Sequence, residues 1–360
     1  MRIGIIGAGQ LGQMLGLAAR ELDYECRFLD PAESPPAAAV GQCIRAAFDD
    51  TEALERLADE SDVVSYEFEN VPVDALSTIV DRVTVHPPPD ALRNAQDRLS
   101  EKRLFEQLEI PLPSYVVVDG KQDIERAIDA LGLPLVVKTR RFGYDGKGQT
   151  VIRAVADVDR AWRDFEGRPA IAEAWVEFDA EVSVIGARND RGDIVIWPLT
   201  ENEHSDGILR VSRAPAPQHA VRSDAEGYIR RLLDALDYVG VLALELFVVG
   251  DRLLANEFAP RVHNSGHWTI EGAETSQFTN HLLAIAGRPL GATTCKGHVG
   301  MINLIGQIPD SARRLSLPQC ELHDYGKVPR PGRKLGHITI VAESAPERDE
   351  IMARIRKTVT

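Results

Sequence analysis

The segment Val136-Val137-Lys138-Thr139-Arg140-Arg141-Phe142-Gly143-Tyr144-Asp145-Gly146-Lys147-Gly148-Gln149 joins a strand-borne lysine to a glycine-rich, cationic loop. Leu135 to Val137 read as a buried strand and Val151-Ile152 as its return. The glycines therefore sit at a hairpin tip and not at a strand-to-helix turn, which excludes the P-loop arrangement. Glycine lets backbone N–H groups approach phosphate oxygens without a Cβ in the way, and Lys138 and Lys147 add charge. Such a hairpin suits a mobile lid over a nucleoside triphosphate, although a solvated turn has the same composition.

A second hairpin follows about a hundred residues later. Ala243 to Val249 and Arg252 to Phe258 are apolar runs around a Gly250-Asp251 turn. With the turn centred near Asp251, Glu245 and Glu257 oppose each other on one face. Like charges in that position are unfavourable, so either a proton is retained or a cation sits between them. Beside a phosphate lid the cation expected is magnesium, which prefers carboxylate and phosphate oxygens. The alternative is a solvated pair, or one paired with Arg261. Between the hairpins, Glu173-Ala174-Trp175-Val176 can form an apolar slot for adenine and Glu181 a carboxylate for ribose hydroxyls.

The N-terminus carries a competing signal. Ile3 to Ile6 read as a strand, Gly7-Ala8-Gly9-Gln10-Leu11-Gly12 as a turn, Gln13 to Glu21 as a helix, and Asp30 ends a second strand. That is the dinucleotide fingerprint, and a dehydrogenase is the reading it suggests. A dehydrogenase leaves the lid, the paired glutamates and the cationic C-terminal cluster Lys327, Arg330, Arg333 and Lys334 unexplained. The glycines then read as tight-turn and packing residues, with a helix N-terminus able to face an anion.

The order of these pieces resembles the ATP-grasp ligases. Within them, Gly143 to Gln149 and Ala259-Pro260-Arg261-Val262-His263-Asn264-Ser265-Gly266-His267-Trp268 resemble the N5-carboxyaminoimidazole ribonucleotide synthase family. Tyr66 to Pro72, Asp97-Arg98 with Lys102, His204 to Ile208 and Arg330 to His337 match in the family's order. The resemblance implies an α/β chain: an ATP-grasp fold with a Rossmann-like N-terminal domain and a small strand-rich C-terminal domain. It implies carboxylation of aminoimidazole ribonucleotide by bicarbonate, through carboxyphosphate, with ATP and magnesium, by a homodimer. ATP would be held by Arg98, Lys102, Lys138, Gly143, Tyr144, Asp145, Gly146, Lys147, Gly148, Gln149, Glu173, Ala174, Trp175, Val176, Glu181, His204, Asn256 and Glu257, with magnesium on Glu245 and Glu257. The ribonucleotide would meet Glu67, Arg261, His263, Asn264, Ser265, Lys327, Arg330 and Arg333. Tyr144, Asp145, Arg261 and His263 would border the chemistry, His263 as a candidate proton acceptor because its ordinary pKa lies near neutrality.

Three features depart from the general ATP-grasp pattern, the first of them as the resembling family would have it. Ala259 stands where many ATP-grasp chains have asparagine, which leaves the magnesium ligand set open. Phe142 takes a lid position where glycine is common, and the segment from Lys327 to Arg333 is short. His263 and His267 have metal-like spacing, but the intervening Asn-Ser-Gly reads as a loop and not as a zinc site.

With 360 residues and 44% hydrophobic content, the chain can bury more than one core. Residues 1–97 are expected to form the Rossmann-like domain, 98–290 the ATP-grasp domain with its lid at about 115–180, and 291–360 the C-terminal domain. The net charge of -14 argues against nucleic acid or an anionic membrane as partner. No apolar run is long enough to span a bilayer. A first strand that begins at Ile3 leaves no room for a signal peptide. Cys26, Cys43, Cys295 and Cys320 are scattered, as in a cytoplasmic protein with free thiols.

Overall fold

A computed structural model of the chain describes residues 1–143, 147–314 and 317–359. The N-terminal unit runs β1 (Arg2–Ile6), α1 (Gln10–Glu21), β2 (Glu25–Asp30), β3 (Gln42–Arg45), α2 (Thr51–Asp59), β4 (Val63–Tyr66), α3 (Val73–Leu76) and α4 (Pro89–Ala95). Its strands pair in parallel in the order β3-β2-β1-β4. Ile3, Ile5 and Ile6 are fully buried in β1, and α1 lays Leu11, Met14, Leu15 and Ala18 against the sheet at helical spacing. Truncating any of these larger side chains to Ala would cost about 2–5 kcal/mol. The order in which strands are added switches sides at β1, with β2 and β3 on one side and β4 on the other, so the loops after Ile6 and Tyr66 face one crevice at the carboxyl ends of these parallel strands. In open α/β sheets that is where ligands bind.

Helix α5 (Arg98–Gln107), capped by the Asp97 carboxylate accepting from Leu99 N at 2.9 Å, leads into the lid. The lid comprises β5 (Tyr115–Val118), α6 (Lys121–Leu131), β6 (Leu135–Thr139), β7 (Gln149–Ile152), α7 (Val158–Asp164) and β8 (Ala170–Ala174), an antiparallel sheet in the order β5-β8-β6-β7. Val118, Ile124, Leu135, Val137 and Phe165 belong to a core cluster confined to the lid. A unit with its own core can move without unpacking the rest. Gly148 closes the hairpin at φ 74°, where a Cβ would lie 2.6 Å from Thr139 Oγ1. Phe142, at φ 64° and exposed, holds the same left-handed conformation without being glycine.

The remaining elements are β9 (Ala180–Arg188), β10 (Ile194–Ile196), β11 (Thr200–Ser205), β12 (Ile208–Ala214), α8 (Arg222–Ala235), β13 (Gly240–Val249), β14 (Arg252–Ala259), α9 (Thr269–Gly272), α10 (Gln277–Ile285), β15 (His298–Ile305), α11 (Asp310–Arg313), β16 (Cys320–Asp324), β17 (Lys334–Ala342) and α12 (Ala345–Val359). Among the described residues the strands form one sheet, β14-β13-β9-β11-β12-β15-β17-β16, with β10 beside β9. The C-terminal strands β15, β16 and β17 thus extend the ATP-grasp sheet instead of building a sheet apart. Helix α8 covers one face with Ile229, Leu232 and Leu233. On the other face Phe278 and Leu282 of α10 share a core cluster with Leu11 and Leu15 of α1, and α12 packs Met352 and Ile355 against β15 and β17. No helix among the described residues is long and apolar enough to cross a membrane.

Candidate active site

The hairpin of β13 and β14 carries the two glutamates. Its two-residue turn sets Val249 opposite Arg252, a register that would place Glu245 opposite Asn256. A β-bulge between Glu245 and Leu246 shifts the ladder by one residue, so Glu245 instead faces Glu257 and Asn256 is the unpaired extra residue. Arg98 Nη1 donates to Glu257 Oε2 at 2.8 Å, and His263 Nε2 lies 3.3 Å from Glu245 Oε1. Burial and then the charge of Glu257 push the Glu245 carboxyl up, while Arg98 holds Glu257 below the ordinary range despite its desolvation. A carboxylate pair in which one member resists ionisation is a site that a cation would relieve. Arg98 and His263 each take one oxygen, which leaves the other oxygen of each carboxylate to a hard cation. The donor set fits magnesium completed by phosphate oxygens.

Lys138 and Glu173 lie diagonally on one face of the lid sheet, because Val136 pairs with Glu173 and Lys138 with Ile171. Lys138 Nζ donates to Glu173 Oε2 at 2.5 Å, and Lys102 Nζ, fully buried on α5, lies 3.0 Å from Glu173 Oε1. Although burial acts the other way, Lys102 and Lys138 hold the Glu173 carboxyl down at about 2. Lys138 also reaches Asn256 Oδ1 at 3.4 Å, and Lys102 donates to Asn256 O at 2.9 Å. The side chain of Glu173 is therefore spent on the two lysines, not on an adenine slot. Ala174 ends β8 with its N–H on Ser114 O, and half-exposed Trp175 and Val176 follow, Trp175 beneath the Arg153 guanidinium at 5.6 Å. Glu181 Oε2 lies 2.7 Å from His204 Nδ1. This hydrogen bond and the Glu245 charge raise the histidine pKa against its burial. Gly143 lies close to Arg98 Nη2, so lid and glutamate pair meet. Gln149 pairs with Lys138, and Lys147 stands at the exposed tip. Tyr144, Asp145 and Gly146 lie outside the described residues.

On the substrate side, Gly9 N donates to Glu67 Oε1 at 2.7 Å across the β1/β4 crevice. Gly7 has φ 99°, and a Cβ there would lie 2.8 Å from Glu67. Burial raises the Glu67 carboxyl, opposed by Gly9 N–H, Arg261 and Lys327. Arg261 Nη2 pairs with Glu69 Oε1 at 2.6 Å, and Lys327 donates to Gln10 Oε1 at the start of α1. The C-terminal loop is thus folded onto the N-terminal crevice. Burial and then Arg333 bring Lys327 down to about 8. Arg333 turns back on Val328 O at 3.0 Å and Arg330 is exposed, so of these three Lys327 is the residue brought to the crevice.

The histidine loop is held by a chain of buried polar side chains. Ser212 Oγ donates to Asn202 Oδ1, Asn202 Nδ2 to Ser183 Oγ, and Ser183 Oγ to Ser265 Oγ, at 2.7–3.0 Å. Ser265 Oγ then donates to His263 Nδ1 at 2.9 Å, which leaves the imidazole proton on Nε2, facing Glu245. Burial and then Arg261 push the His263 pKa well below its ordinary value. His263, a candidate proton acceptor on its sequence, is here an imidazole whose Nδ1 is engaged by Ser265. Asn264 exchanges hydrogen bonds with Asn303 and also meets His267, so Asn264 and Ser265, both buried, support the loop from behind. Ser183, Asn202, Ser212, Glu69 and Gln10 were not singled out from the sequence. Thr200 to Ser205 is polar at every position, so no apolar alternation marked the strand that carries Asn202.

Comparison with known proteins agrees along the whole chain. Family models for the ribonucleotide synthetase preATP-grasp domain, the ATP-grasp domain and the phosphoribosylaminoimidazole carboxylase C-terminal domain match residues 1–96, 103–278 and 300–351. The N5-carboxyaminoimidazole ribonucleotide synthase of Pseudomonas aeruginosa is 48% identical over 355 residues, 99% of this chain and 98% of the relative. The crystal structure of N5-carboxyaminoimidazole ribonucleotide synthetase from Thermus thermophilus superposes with TM-score 0.94 at 47% identity, covering 99% of this chain and 98% of that one. A structure of the Aspergillus clavatus synthase in complex with ADP and 5-aminoimidazole ribonucleotide superposes with TM-score 0.92 at 30% identity, covering 99% and 98%. With the paired glutamates, the lysine-bearing lid and the N-terminal crevice in one chain, these matches establish that it belongs to the N5-carboxyaminoimidazole ribonucleotide synthase family of ATP-grasp ligases.

Proposed function

We propose that the chain uses ATP to carboxylate 5-aminoimidazole ribonucleotide with bicarbonate, giving N5-carboxyaminoimidazole ribonucleotide, ADP and phosphate in purine biosynthesis. The observation that carries this reading is the continuity of two half-sites: the glutamate pair beneath the lid is joined to the crevice side by His263, 3.3 Å from Glu245. Bicarbonate attacks the γ-phosphoryl group, forming carboxyphosphate and ADP. The exocyclic amine then takes the carboxyl group and phosphate leaves. Lys138 and Lys102, aligned by Glu173, offer positive charge to the phosphates, and Arg98 fixes the orientation of Glu257. Glu245 and Glu257 would hold magnesium, which would supply charge neutralisation at the phosphates. Arg261, oriented by Glu69, faces the carboxyl group, while Glu67 and Lys327 hold the ribonucleotide. Closure of the lid protects carboxyphosphate from water.

The division into a crevice domain at 1–97, an ATP-grasp domain at 98–290 and a C-terminal domain at 291–360 follows the same roles. Cytoplasmic location accords with four free cysteines, and a homodimer is the assembly expected of the family. Sedimentation equilibrium at the mass of one chain would contradict the dimer. The deciding test of function is ADP release with magnesium ATP and bicarbonate, with and without aminoimidazole ribonucleotide. Stimulation by the ribonucleotide with bicarbonate required for product supports the reading; stimulation by a different amine instead would refute it.

A further inference from the structure

Gln96 and Asp97 join α4 to α5, and with Arg98, the first residue of α5, they contact the crevice loop, the lid root and the glutamate pair. Gln96 closes α4 with its N–H on Leu92 O. Its side-chain Nε2 donates to Glu69 O at 2.8 Å and to Val71 O at 2.6 Å, in the loop after β4 that carries Glu67. Its Oε1 accepts from Arg141 Nη2 at 2.9 Å, at the root of the lid hairpin. Next to it, Asp97 receives Arg140 Nε at 2.9 Å and Nη2 at 2.5 Å. Arg98 N donates to Arg140 O at 2.9 Å while its guanidinium holds Glu257. The Glu69 carboxylate, on the residue whose carbonyl Gln96 grips, is the partner of Arg261.

A carboxamide is the one side chain that can make the Gln96 set of contacts, with two N–H groups for the loop carbonyls and an oxygen for the arginine. Methionine has the shape but none of the bonds. Glutamate keeps the acceptor and sets a carboxylate against two carbonyl oxygens. Asp97 and Arg140 join the lid root to α5 without touching the crevice loop. Gln96 is different, because it touches both the lid root and the crevice loop.

We propose that Gln96 is a positioning residue that links the lid root to loop 67–71, so that the lid takes its working position over ATP only when that loop is held by the ribonucleotide. This rests on the reaction proposed above. Without the link, the lid closes irrespective of the amine, and carboxyphosphate formed in its absence is lost to hydrolysis.

The test measures ADP and carboxylated ribonucleotide in the same reaction, with full-length wild type, Gln96→Met, Gln96→Glu, Arg141→Met and the Gln96→Met/Arg141→Met double variant. Wild type should form the two products in a ratio near one. Each single variant is expected to raise the ratio several-fold with the KM for ATP changed less than about twofold, and the double variant should be no worse than the worse single one. A wild-type ratio in folded Gln96→Met, or effects that multiply in the double variant, would overturn the link. If Gln96→Met fails to fold, Arg141→Met alone decides, since its side chain is exposed. Amide hydrogen exchange supplies a second readout: aminoimidazole ribonucleotide should slow exchange at Arg98 N in wild type and not in the variants, and equal slowing in both would refute the proposal. A wild type that makes no carboxylated product refutes the reaction instead, and the exchange experiment then decides the link by itself.

Discussion

Replacing Glu173 by Gln tests the idea that one buried carboxylate organises both lysines. Its fall from an ordinary 4.5 to about 2 corresponds to about 3 kcal/mol in favour of the ionised form, at roughly 1.4 kcal/mol per decade. Glutamine keeps the shape and leaves two ammonium groups, Lys102 fully buried and Lys138 nearly so, without their counter-charge. Removing one partner of such an assembly costs about 3–5 kcal/mol, so the two routes agree. The sign with pH follows. A carboxyl whose folded pKa is depressed stabilises fully above its unfolded value near 4.5, and that stabilisation disappears as pH falls towards 2. Urea unfolding at pH 7 should therefore show a Glu173→Gln midpoint lowered by the equivalent of about 3 kcal/mol, and the gap between variant and wild type should narrow as pH drops from 5 to 3. The KM for ATP should rise as Lys138 loses its alignment. An unchanged midpoint at pH 7, or a gap constant with pH, would refute the argument.

Glu257→Gln should abolish ATP turnover in a folded protein; circular dichroism and ADP release check this, and undiminished turnover would remove Glu257 from the metal role. Lys327→Gln should raise the KM for the ribonucleotide while sparing that for ATP, and equal losses for both would contradict its place in the crevice. Because Lys327 loses its proton near pH 8, the wild-type KM for the ribonucleotide should climb above that pH and the Lys327→Gln profile should be flat there. Ser183→Ala should cost about 1–3 kcal/mol in unfolding free energy, since it leaves Asn202 Nδ2 without its buried acceptor and Ser265 Oγ without its donor; a loss below about 0.5 kcal/mol would show that the hydrogen-bonded chain is slack. The pH dependence of kcat should carry no ionisation near 6.5 that vanishes in His263→Asn, and finding one would restore histidine as the base.

The sequence revealed most where periodicity and turn chemistry act locally. The glycine-rich tip between two apolar runs is the observed β6/β7 hairpin, and Asp97 and the helix after it lie where capping residues predict. The opposition of Glu245 and Glu257 was foreseen, but from a turn centred at Asp251. The actual turn lies half a residue earlier and the bulge at Asn256 makes up the difference. A bulge leaves no signature in this stretch, because alternation continues on both sides of it. Strands β9 to β12 were not delineated, since Thr200 to Ser205 is polar on both faces until its neighbours are known. The partners of Glu173 were hidden for another reason: Lys102 and Lys138 come from elements far apart in sequence, and no local pattern reports a meeting set by the packing of lid against α5.

The acid–base inventory limits what the protein can contribute to the second half-reaction. His263 has its lone pair on Ser265 and its proton towards Glu245. Glu67 is raised by burial but receives Gly9 N–H, and Glu69 is committed to Arg261. None of these groups is arranged to take a proton from an attacking amine. In the proposed reaction phosphate, by contrast, is produced at the reacting centre as carboxyphosphate breaks down, and as a dianion it is a competent acceptor near neutral pH. The protein then has to keep that phosphate, the carboxyl group and the amine together and dry for one event. As far as the described residues go, rate in the proposed reaction comes from alignment and exclusion of water, which makes the fit between lid and crevice the quantity on which productive turnover depends.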